Sequence, residues 1–328
     1  MPASKLKVIV TRKLPEPVET RMRELFDVEL NEADQPMRKA GLAEAMGRAD
    51  VLVPTLTDKI DAALLAQAGE RLKLIANYGA GFDHIDVQTA LSRGIMVTNT
   101  PGVLTEDTAD IAMALILSVP RRLKEGAELM SRGEWQGWSP TALMGHRIGG
   151  KRLGILGMGR IGQAVAARAK AFGMRVIGTR ARPQPMENVD EVHPAAALPD
   201  LWGRADIVVL SVPLISSTRG LVNSRALMAM KRDAILVDVS RGGVLDGAAL
   251  VNTMRAGHLR GAALDVLEPE PPPADSPLWG LDRLILSPHC SAVYEGWGMR
   301  SFELFLDNLG HWRRGAPLFN IVSPERGY

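Results

Sequence analysis

The sequence predicts an α/β protein with two doubly wound parallel-sheet domains and a cleft between them. Short apolar runs, each long enough for one buried strand, alternate with stretches of helical spacing along most of the chain. Strands that alternate with helices form βαβ units, in which the strands pair in parallel. The alternation restarts near residue 152 after an interruption, and 328 residues are enough for two domains.

Composition and charge are those of an ordinary globular protein. Apolar residues make up 46% of the chain and the net charge is +2, so nothing in the charge favours nucleic acid or an anionic membrane as a partner. The single cysteine, Cys290, excludes an internal disulfide framework, and no Cys/His cluster has the spacing of a zinc site. Because no signal peptide or membrane-spanning stretch is recognisable, we expect a cytoplasmic protein.

The first series of strands and helices lies before about residue 100. Its apolar runs are short and rich in Val, Ile and Leu, as expected for strands that are buried on both faces. The predicted strands are residues 7–11, 51–54, 72–77 and 94–99, and the predicted helices are residues 16–26 and 60–68.

The second series lies between about residues 100 and 289 and opens with a long apolar helix, 105–122, for which Thr105 is the expected N-cap. Residues 132–140 are rich in Gly and Trp without periodicity, which predicts an ordered excursion. Further predicted strands are residues 175–178, 207–211, 234–239, 261–266 and 284–286, and further predicted helices are residues 163–172, 224–230 and 247–256.

A last predicted helix, 297–314, falls outside the second series, and we expect it to pack against the first domain. The expected substrate domain is therefore discontinuous, with residues 1–100 and 290–328. Residues 101–289 are the expected dinucleotide-binding domain.

A glycine-rich turn after an apolar run is the strongest local signal for a ligand. Gly157, Gly159 and Gly162 have the Gly-x-Gly-x-x-Gly spacing of a Rossmann-like dinucleotide site. The first glycine allows the tight turn, the second lets the backbone approach the pyrophosphate, and the third lets the helix pack close to the sheet. With Arg160 and Ile161 between them, these residues form the predicted phosphate-binding loop of a nicotinamide cofactor.

The next strand ends in Thr179 and Arg180, where an NAD site usually has an acidic residue for the ribose hydroxyls. Arginine cannot accept those hydrogen bonds, but it can bind a 2′-phosphate. Arg182 is also basic, and no carboxylate lies between Arg180 and Glu187. Thr179 offers a hydroxyl donor. We therefore predict NADP(H) as the preferred cofactor, with NAD(H) as a possible second cofactor. The alternative is that Arg180 is only a solvated side chain.

Three polar residues follow successive strands of the second series. Arg241, Glu270 and His289 each come just after a predicted strand, at the edge where doubly wound sheets bind ligands. Reduction of a 2-oxo acid needs a bidentate cation for the substrate, which Arg supplies, and a proton donor near neutral pH, which His supplies. A carboxylate such as Glu270 stabilises the protonated imidazole.

Over essentially its whole length the chain resembles the D-isomer-specific 2-hydroxyacid dehydrogenase family, and within it the glyoxylate/hydroxypyruvate reductase branch. The matching motifs are Gly157-Met-Gly-Arg-Ile-Gly, Val239-Ser-Arg-Gly-Gly-Val-Leu-Asp, Ala263-Leu-Asp-Val-Leu-Glu-Pro-Glu-Pro and Ser287-Pro-His. The resemblance implies that Arg241 clamps the substrate, that His289 is the general acid/base and that Glu270, rather than Glu268, is its partner. It also implies a contact between Asp265 and the nicotinamide carboxamide.

The resemblance extends to a substrate loop and a subunit-exchanging arm. It implies that the N–H groups of Ala80 and Gly81 hold the substrate carboxylate and that Thr108 contacts the cofactor. Residues 133–140 resemble an arm through which Trp138 reaches the substrate site of the partner subunit, which implies a homodimer. The alternative is that Trp138 is buried in its own subunit.

The sequence thus predicts an NADPH-preferring reductase of small 2-oxo acids such as glyoxylate and hydroxypyruvate. Two alternatives stay open: a phosphite dehydrogenase-like oxidoreductase, and a non-catalytic protein that senses nucleotides. The chain departs from the family after His289, where Cys290-Ser-Ala-Val-Tyr replaces the usual Ile-Gly-Ser-Ala-Thr and where Trp297 follows. We expect this departure to reshape the pocket wall, and we expect Cys290 to be a small buried residue rather than a reactive thiol.

Overall fold

The computed structural model describes residues 5–294 and 296–323, which divide into two compact units. The first unit comprises the chain up to Leu104 together with the segment from Tyr294, and the second comprises Thr105–Val293. The fold class predicted from the sequence, α/β with two parallel sheets, is confirmed.

The strands and helices follow each other in regular alternation. The strands are β1 (Lys7–Val10), β2 (Asp27–Glu29), β3 (Val51–Val53), β4 (Leu74–Ala76), β5 (Met96–Thr98), β6 (Arg152–Leu156), β7 (Arg175–Thr179), β8 (Glu191–His193), β9 (Ile207–Leu210), β10 (Ile235–Asp238), β11 (Gly261–Leu264) and β12 (Leu284–Leu286). The α-helices are α1 (Glu16–Leu25), α2 (Lys39–Arg48), α3 (Ala62–Leu65), α4 (Val87–Ser92), α5 (Thr105–Ser118), α6 (Leu123–Ser131), α7 (Arg160–Ala171), α8 (Leu198–Arg204), α9 (Ser224–Ala229), α10 (Gly247–Arg255) and α11 (Trp297–Arg313).

The sheet of the first unit has the order β2-β1-β3-β4-β5 and is parallel throughout the described residues. Its strands are apolar because both faces are covered, and Ile9 and Val10 lie in the cores on opposite faces. Helix α11 packs against α1, and Phe302 and Phe305 join the core on the same face as Val10. Near the end of the described chain, Ile321 forms an isolated antiparallel bridge with Thr98 of β5.

The sheet of the second unit has the order β12-β11-β10-β9-β6-β7-β8, again parallel in the described part of the chain. The order of the strands reverses between β6 and β9, which makes this the topological switch point of the sheet. Because all strands run in one direction, the residues that follow them lie at one edge, where a doubly wound sheet binds its ligand. The glycine loop follows β6, and the predicted catalytic residues follow β10, β11 and β12.

The predicted helix 105–122 is wrong at its C-terminal end. Helix α5 stops at Ser118, and a new helix, α6, begins at Leu123. Pro120 lacks an N–H and disfavours helical backbone in the residue before it, and Arg122 adopts a left-handed conformation with φ of 55°. No described helix has the length and hydrophobicity that crossing a bilayer requires.

Candidate active site

The turn between β6 and α7 has no room for side chains at two of its glycines. Gly157 has a φ of +98°, and a Cβ there would lie 2.7 Å from Val212 Cγ1 and 2.8 Å from Ser211 O. A Cβ on Gly162 would overlap the carbonyl oxygen of Gly157, so that only glycine lets α7 approach the strand this closely. The turn is therefore built around a close approach of the helix N-terminus to the sheet.

The remaining glycine, Gly159, faces open space. It precedes the first residue of α7, no described side chain caps the helix, and a Cβ at this position would meet no described atom within 4 Å. Uncapped N–H groups at a helix N-terminus attract anions, so the turn fits the pyrophosphate of a dinucleotide. Arg160 is exposed at this end of the helix and Ile161 is partly buried.

The end of β7 carries the residues that we predicted to choose between cofactors. Thr179 is buried as the last residue of the strand, and Arg180 is partly exposed just beyond it, where its N–H donates to the His193 carbonyl at 2.9 Å. Arg180 makes no ion pair among the described residues. The nearby carboxylate, Glu191, is instead paired with Arg204 at 2.6 Å. The guanidinium of Arg180 can therefore meet a phosphate.

Glu270 and His289 are in direct contact in the second unit. Glu270 Oε2 lies 2.8 Å from His289 Nδ1, and Glu270 Oε1 accepts a hydrogen bond from the Leu267 N–H at 2.9 Å. The carboxylate is thereby fixed in orientation, and a proton on Nδ1 leaves Nε2 as the atom that can exchange a proton with a ligand. The neighbouring carboxylate, Glu268, pairs with Arg219 at 3.0 Å.

The backbone at His289 is strained, and Asp265 holds it in place. His289 has a φ of 52°, which costs energy for a residue with a Cβ. The fully buried carboxylate of Asp265 accepts hydrogen bonds from the hydroxyl of Ser287, from Cys290 N at 3.1 Å and from Ser291 N at 3.0 Å. These bonds clamp both sides of the histidine, which gives Asp265 a structural task beside the predicted contact with the carboxamide.

Arg241 follows β10 in the loop next to that of Glu270. Its Nη1 donates to the carbonyl oxygen of Ser240 at 2.8 Å. A Cβ on the following residue, Gly242, would overlap the backbone carbonyl of Leu267, so the two loops are packed backbone against backbone. This close approach brings the arginine loop against the segment that leads to Glu270.

Asp238, the last residue of β10, is a buried acid that sequence reasoning missed. Its Oδ1 accepts hydrogen bonds from the N–H and hydroxyl of Ser240, whereas Oδ2 has no partner among the described residues. Burial raises the pKa of Asp238 to about 7, against the opposing effects of Ser240 and of the Arg241 charge. The hydrogen-bonded pair Asp238 and Ser240 fixes the backbone from which the Arg241 side chain departs.

The loop with Ala80 and Gly81 lies in the first unit, after β4. Asn77 Nδ2 donates to the carbonyl oxygens of Gly79 and Gly81 at 3.0 and 2.8 Å, and Asn99 Nδ2 donates to that of Ala80 at 2.7 Å. The carbonyls of this loop face the side-chain amides of the two asparagines. The N–H groups of Ala80 and Gly81 donate to no described group. Sequence reasoning gave neither asparagine a role: Asn77 begins the loop itself, whereas Asn99 is distant in sequence and only the fold brings it to the loop.

The other predicted residues have varied surroundings. Thr108 is buried in the first turn of α5, and Cys290 is half-buried with its sulfur 3.4 Å from Ser287 Oγ. Trp297 packs edge-on against Tyr78 inside the first unit, with ring centroids 5.1 Å apart. Trp138 is 84% exposed, so the alternative that it is buried in its own subunit is wrong.

Comparison with known proteins identifies relatives along the whole chain. A family model described as D-isomer specific 2-hydroxyacid dehydrogenase, NAD binding domain, matches residues 113–291. The glyoxylate reductase of Korarchaeum cryptofilum is 41% identical over 325 residues, which cover 98% of this chain and 97% of that protein. The glyoxylate reductase of Thermococcus onnurineus is 40% identical with the same coverage.

Solved structures resemble the chain over the same extent. The NADPH-dependent glyoxylate/hydroxypyruvate reductase of Sinorhizobium meliloti, solved with NADP and malonate, has a TM-score of 0.86 and 31% identity, and covers 98% of this chain and 97% of its own. A protein of Thermus thermophilus has a TM-score of 0.88 and 42% identity, and covers 97% of this chain and 100% of its own.

Proposed function

The chain belongs to the D-isomer specific 2-hydroxyacid dehydrogenase family, and from this premise we propose that it is an NADPH-preferring reductase of small 2-oxo acids such as glyoxylate and hydroxypyruvate. It is an NAD(P)-dependent oxidoreductase of the glyoxylate reductase type. The observation that carries the finer proposal is the hydrogen-bonded pair of Glu270 and His289 beyond the carboxyl ends of β11 and β12.

His289 is the proton donor in this proposal. Protonated imidazole donates its Nε2 proton to the carbonyl oxygen of the oxo acid, so that the oxygen becomes the hydroxyl of the product. Glu270 accepts the hydrogen bond from Nδ1–H and stabilises the imidazolium before the transfer. In the direction of oxidation the same Nε2 takes the proton back.

Binding of the substrate is assigned to a cation and to a pair of backbone donors. Arg241 would bind the oxo acid through its carboxylate and carbonyl oxygens and polarise the carbonyl that is reduced. The N–H groups of Ala80 and Gly81, which donate to no other described group, are assigned to the substrate carboxylate. Together these groups would hold a small anionic substrate by its carboxylate and carbonyl oxygens.

The cofactor would lie across the carboxyl edge of the second sheet. Gly157, Gly159 and Gly162 with the N-terminus of α7 would hold the pyrophosphate, and Arg180 would bind the 2′-phosphate. Bound nicotinamide supplies the hydride. Asp265 and Thr108 are further proposed cofactor contacts. The side chains of both residues are buried in the described chain.

We further propose that the protein is a homodimer. Exposed apolar side chains are concentrated on α6 and the irregular segment after it, namely Leu123, Met130, Trp135, Trp138 and Met144. Helix α6 has no buried residue of its own in the described chain, so its apolar face needs a partner. A second copy of this arm would cover these side chains, and Trp138 would reach the substrate site of the partner.

A steady-state screen tests the proposed reaction. Oxidation of NADPH and NADH is followed with glyoxylate, hydroxypyruvate and larger 2-oxo acids, and reduction of NADP and NAD is followed with phosphite. We expect turnover with the small oxo acids and a higher kcat/KM with NADPH. Turnover with phosphite alone would favour the phosphite dehydrogenase alternative, whereas tight nucleotide binding without turnover would favour a sensor.

A pair of variants tests the proton donor and its partner. His289→Ala is expected to lower kcat by about 10³-fold while NADPH binding survives. Glu270→Gln is expected to lower kcat by at least about tenfold, because the imidazolium loses its counter-charge. Glu268→Gln is the matched control, since Glu268 pairs with Arg219, and equal losses in the two glutamate variants would contradict the assignment.

A further inference from the structure

A basic cavity lies at the edge of the second sheet opposite to the catalytic residues. It has a volume of about 200 Å³, and the segments around it precede β6, β9, β10 and β11. Five cations and two carboxylates line it, so it carries about three net positive charges: Arg147, Lys151, Lys231, Arg232, Arg260, Asp206 and Asp233.

Both carboxylates of the cavity are already engaged. Asp206 pairs with Lys231 at 2.9 Å, and its second oxygen accepts a hydrogen bond from the Arg152 N–H at 2.8 Å. Asp233 lies 3.4 Å from Arg260. Although burial opposes ionisation, these hydrogen bonds to Asp206 and the charge of Lys231 hold its pKa below the ordinary value. Both carboxylates thus already have an ion-pair partner among the five cations.

Three of the five cations stand outside these two ion pairs. Arg147, Lys151 and Arg232 make no ion pair among the described residues, and all three are exposed at the rim. Like charges that converge on a concave surface raise the local potential and attract multivalent anions. Arginine and lysine donors placed around a small cavity match the several oxygens of a phosphate group.

We propose that this cavity binds a small phosphate-bearing anion at a site separate from the catalytic edge. Its volume suits a pyrophosphate or a phosphorylated small metabolite and is too small for a nucleic acid duplex. The four residues of β10 separate the segment at Asp233 and Ala234 from the loop of Arg241, a distance of about 13 Å. The proposal does not depend on the proposed reaction, because none of the lining residues takes part in it.

Calorimetric titration with pyrophosphate tests the site. The protein is first saturated with NADPH, so that the glycine loop after β6 is filled and pyrophosphate cannot bind there. We expect one pyrophosphate per chain to bind to this NADPH-saturated protein. Citrate, a carboxylate anion of similar charge, should bind at least about tenfold more weakly, since it lacks the phosphate oxygens.

Charge reversals locate the bound anion. Lys151→Glu and Arg232→Glu should each weaken pyrophosphate binding by at least about tenfold, with unchanged thermal unfolding and unchanged NADPH binding. Lys73→Glu is the matched control, because Lys73 is an exposed lysine just before β4, as Lys151 is just before β6. No binding, displacement by NADPH, equal binding of citrate, or an equal loss in Lys73→Glu would overturn the proposal.

Discussion

At the scale of single residues, the conformation of His289 depends on Asp265, which takes no part in the proposed proton transfer. The left-handed backbone at His289 places its ring against Glu270, and the Asp265 carboxylate binds the residues before and after it. A buried carboxylate with three donors is a rigid anchor. The orientation of the proposed catalytic ring is thus held by Asp265, the acid that directly follows β11.

Replacing this anchor should disturb the turn more than the fold. Asp265→Asn is expected to lower the free energy of unfolding by about 2 kcal/mol, because an amide cannot accept hydrogen bonds from donors on both of its ends. We expect kcat to fall by at least about tenfold as His289 loses its orientation. Chemical denaturation and steady-state kinetics measure both effects.

The exposed Asp282→Asn serves as the control for Asp265→Asn, and it should leave stability and kcat unchanged. An Asp265→Asn enzyme with the stability and kcat of the parent would contradict the anchoring role. A fall in NADPH affinity alone, without a change in stability, would favour the contact with the carboxamide.

Asp238 should make stability depend on pH in an unusual direction for an acid. Its pKa of about 7 in the folded chain exceeds the ordinary value of 3.8, so the folded protein binds this proton more tightly than the unfolded chain does. The stabilisation is fully present below the unfolded value and is lost as the pH rises through about 7. Asp238→Asn should remove this loss, which is at most about 1.4 kcal/mol per pH unit.

Denaturant unfolding at a series of pH values measures the effect. The difference in unfolding free energy between Asp238→Asn and the parent should shift in favour of the variant as the pH rises from about 4 to about 7. Asp282→Asn should follow the parent at every pH. A constant difference between Asp238→Asn and the parent would contradict a buried acid that titrates in this range.

Local patterns predicted some of these residues and not others. The glycines of the β6 turn and the strand-end positions of Arg241 and His289 are visible in short stretches of sequence. The support of His289 by Asp265 and of Ala80 by Asn99 joins residues 24 and 19 positions apart. Such pairs depend on which strand ends become neighbours, and strand order cannot be read from any one segment.

At the scale of elements, the end of β7 should decide the choice of nucleotide. Arg180→Asp replaces a phosphate-binding cation with an acceptor for ribose hydroxyls, and the new charge repels the 2′-phosphate. We expect NADPH binding to weaken by about 100-fold and the preference to shift toward NADH. Fluorescence titration of both nucleotides, with kcat/KM for each, measures this shift.

Arg175→Asp is the matched control for Arg180→Asp, because Arg175 begins the same strand at the opposite edge of the sheet. It should leave the ratio of NADPH to NADH affinity unchanged. If Arg180→Asp kept the parent's preference for NADPH, the phosphate site would have to lie elsewhere than at the end of β7.

The break between α5 and α6 shows where periodicity misleads. Apolar residues continue at helical spacing up to Pro120, and the pattern therefore predicted one long helix. The proline and the left-handed Arg122 end α5 and redirect the chain. Other elements were also missed: two glycines lower the helix propensity of α2, and the edge strand β8 has a single apolar residue.

At the scale of the whole molecule, the exposed arm is expected to hold two copies together. A tryptophan that is 84% exposed and lies among other exposed apolar side chains is typical of the centre of an interface. Trp138→Ala should therefore raise the dissociation constant of the dimer by at least about 30-fold, which corresponds to about 2 kcal/mol. Sedimentation velocity over a range of protein concentrations measures this constant.

Trp279→Ala is the control for this variant, because Trp279 is also exposed but belongs to the loop that follows β11 and not to the arm. It should leave the dimer intact. Since Trp138 is assigned to the substrate site of the partner, Trp138→Ala should also raise KM at protein concentrations where the dimer persists. A parent protein that sediments as a monomer, or a Trp138→Ala dimer as tight as that of Trp279→Ala, would contradict both roles of the arm.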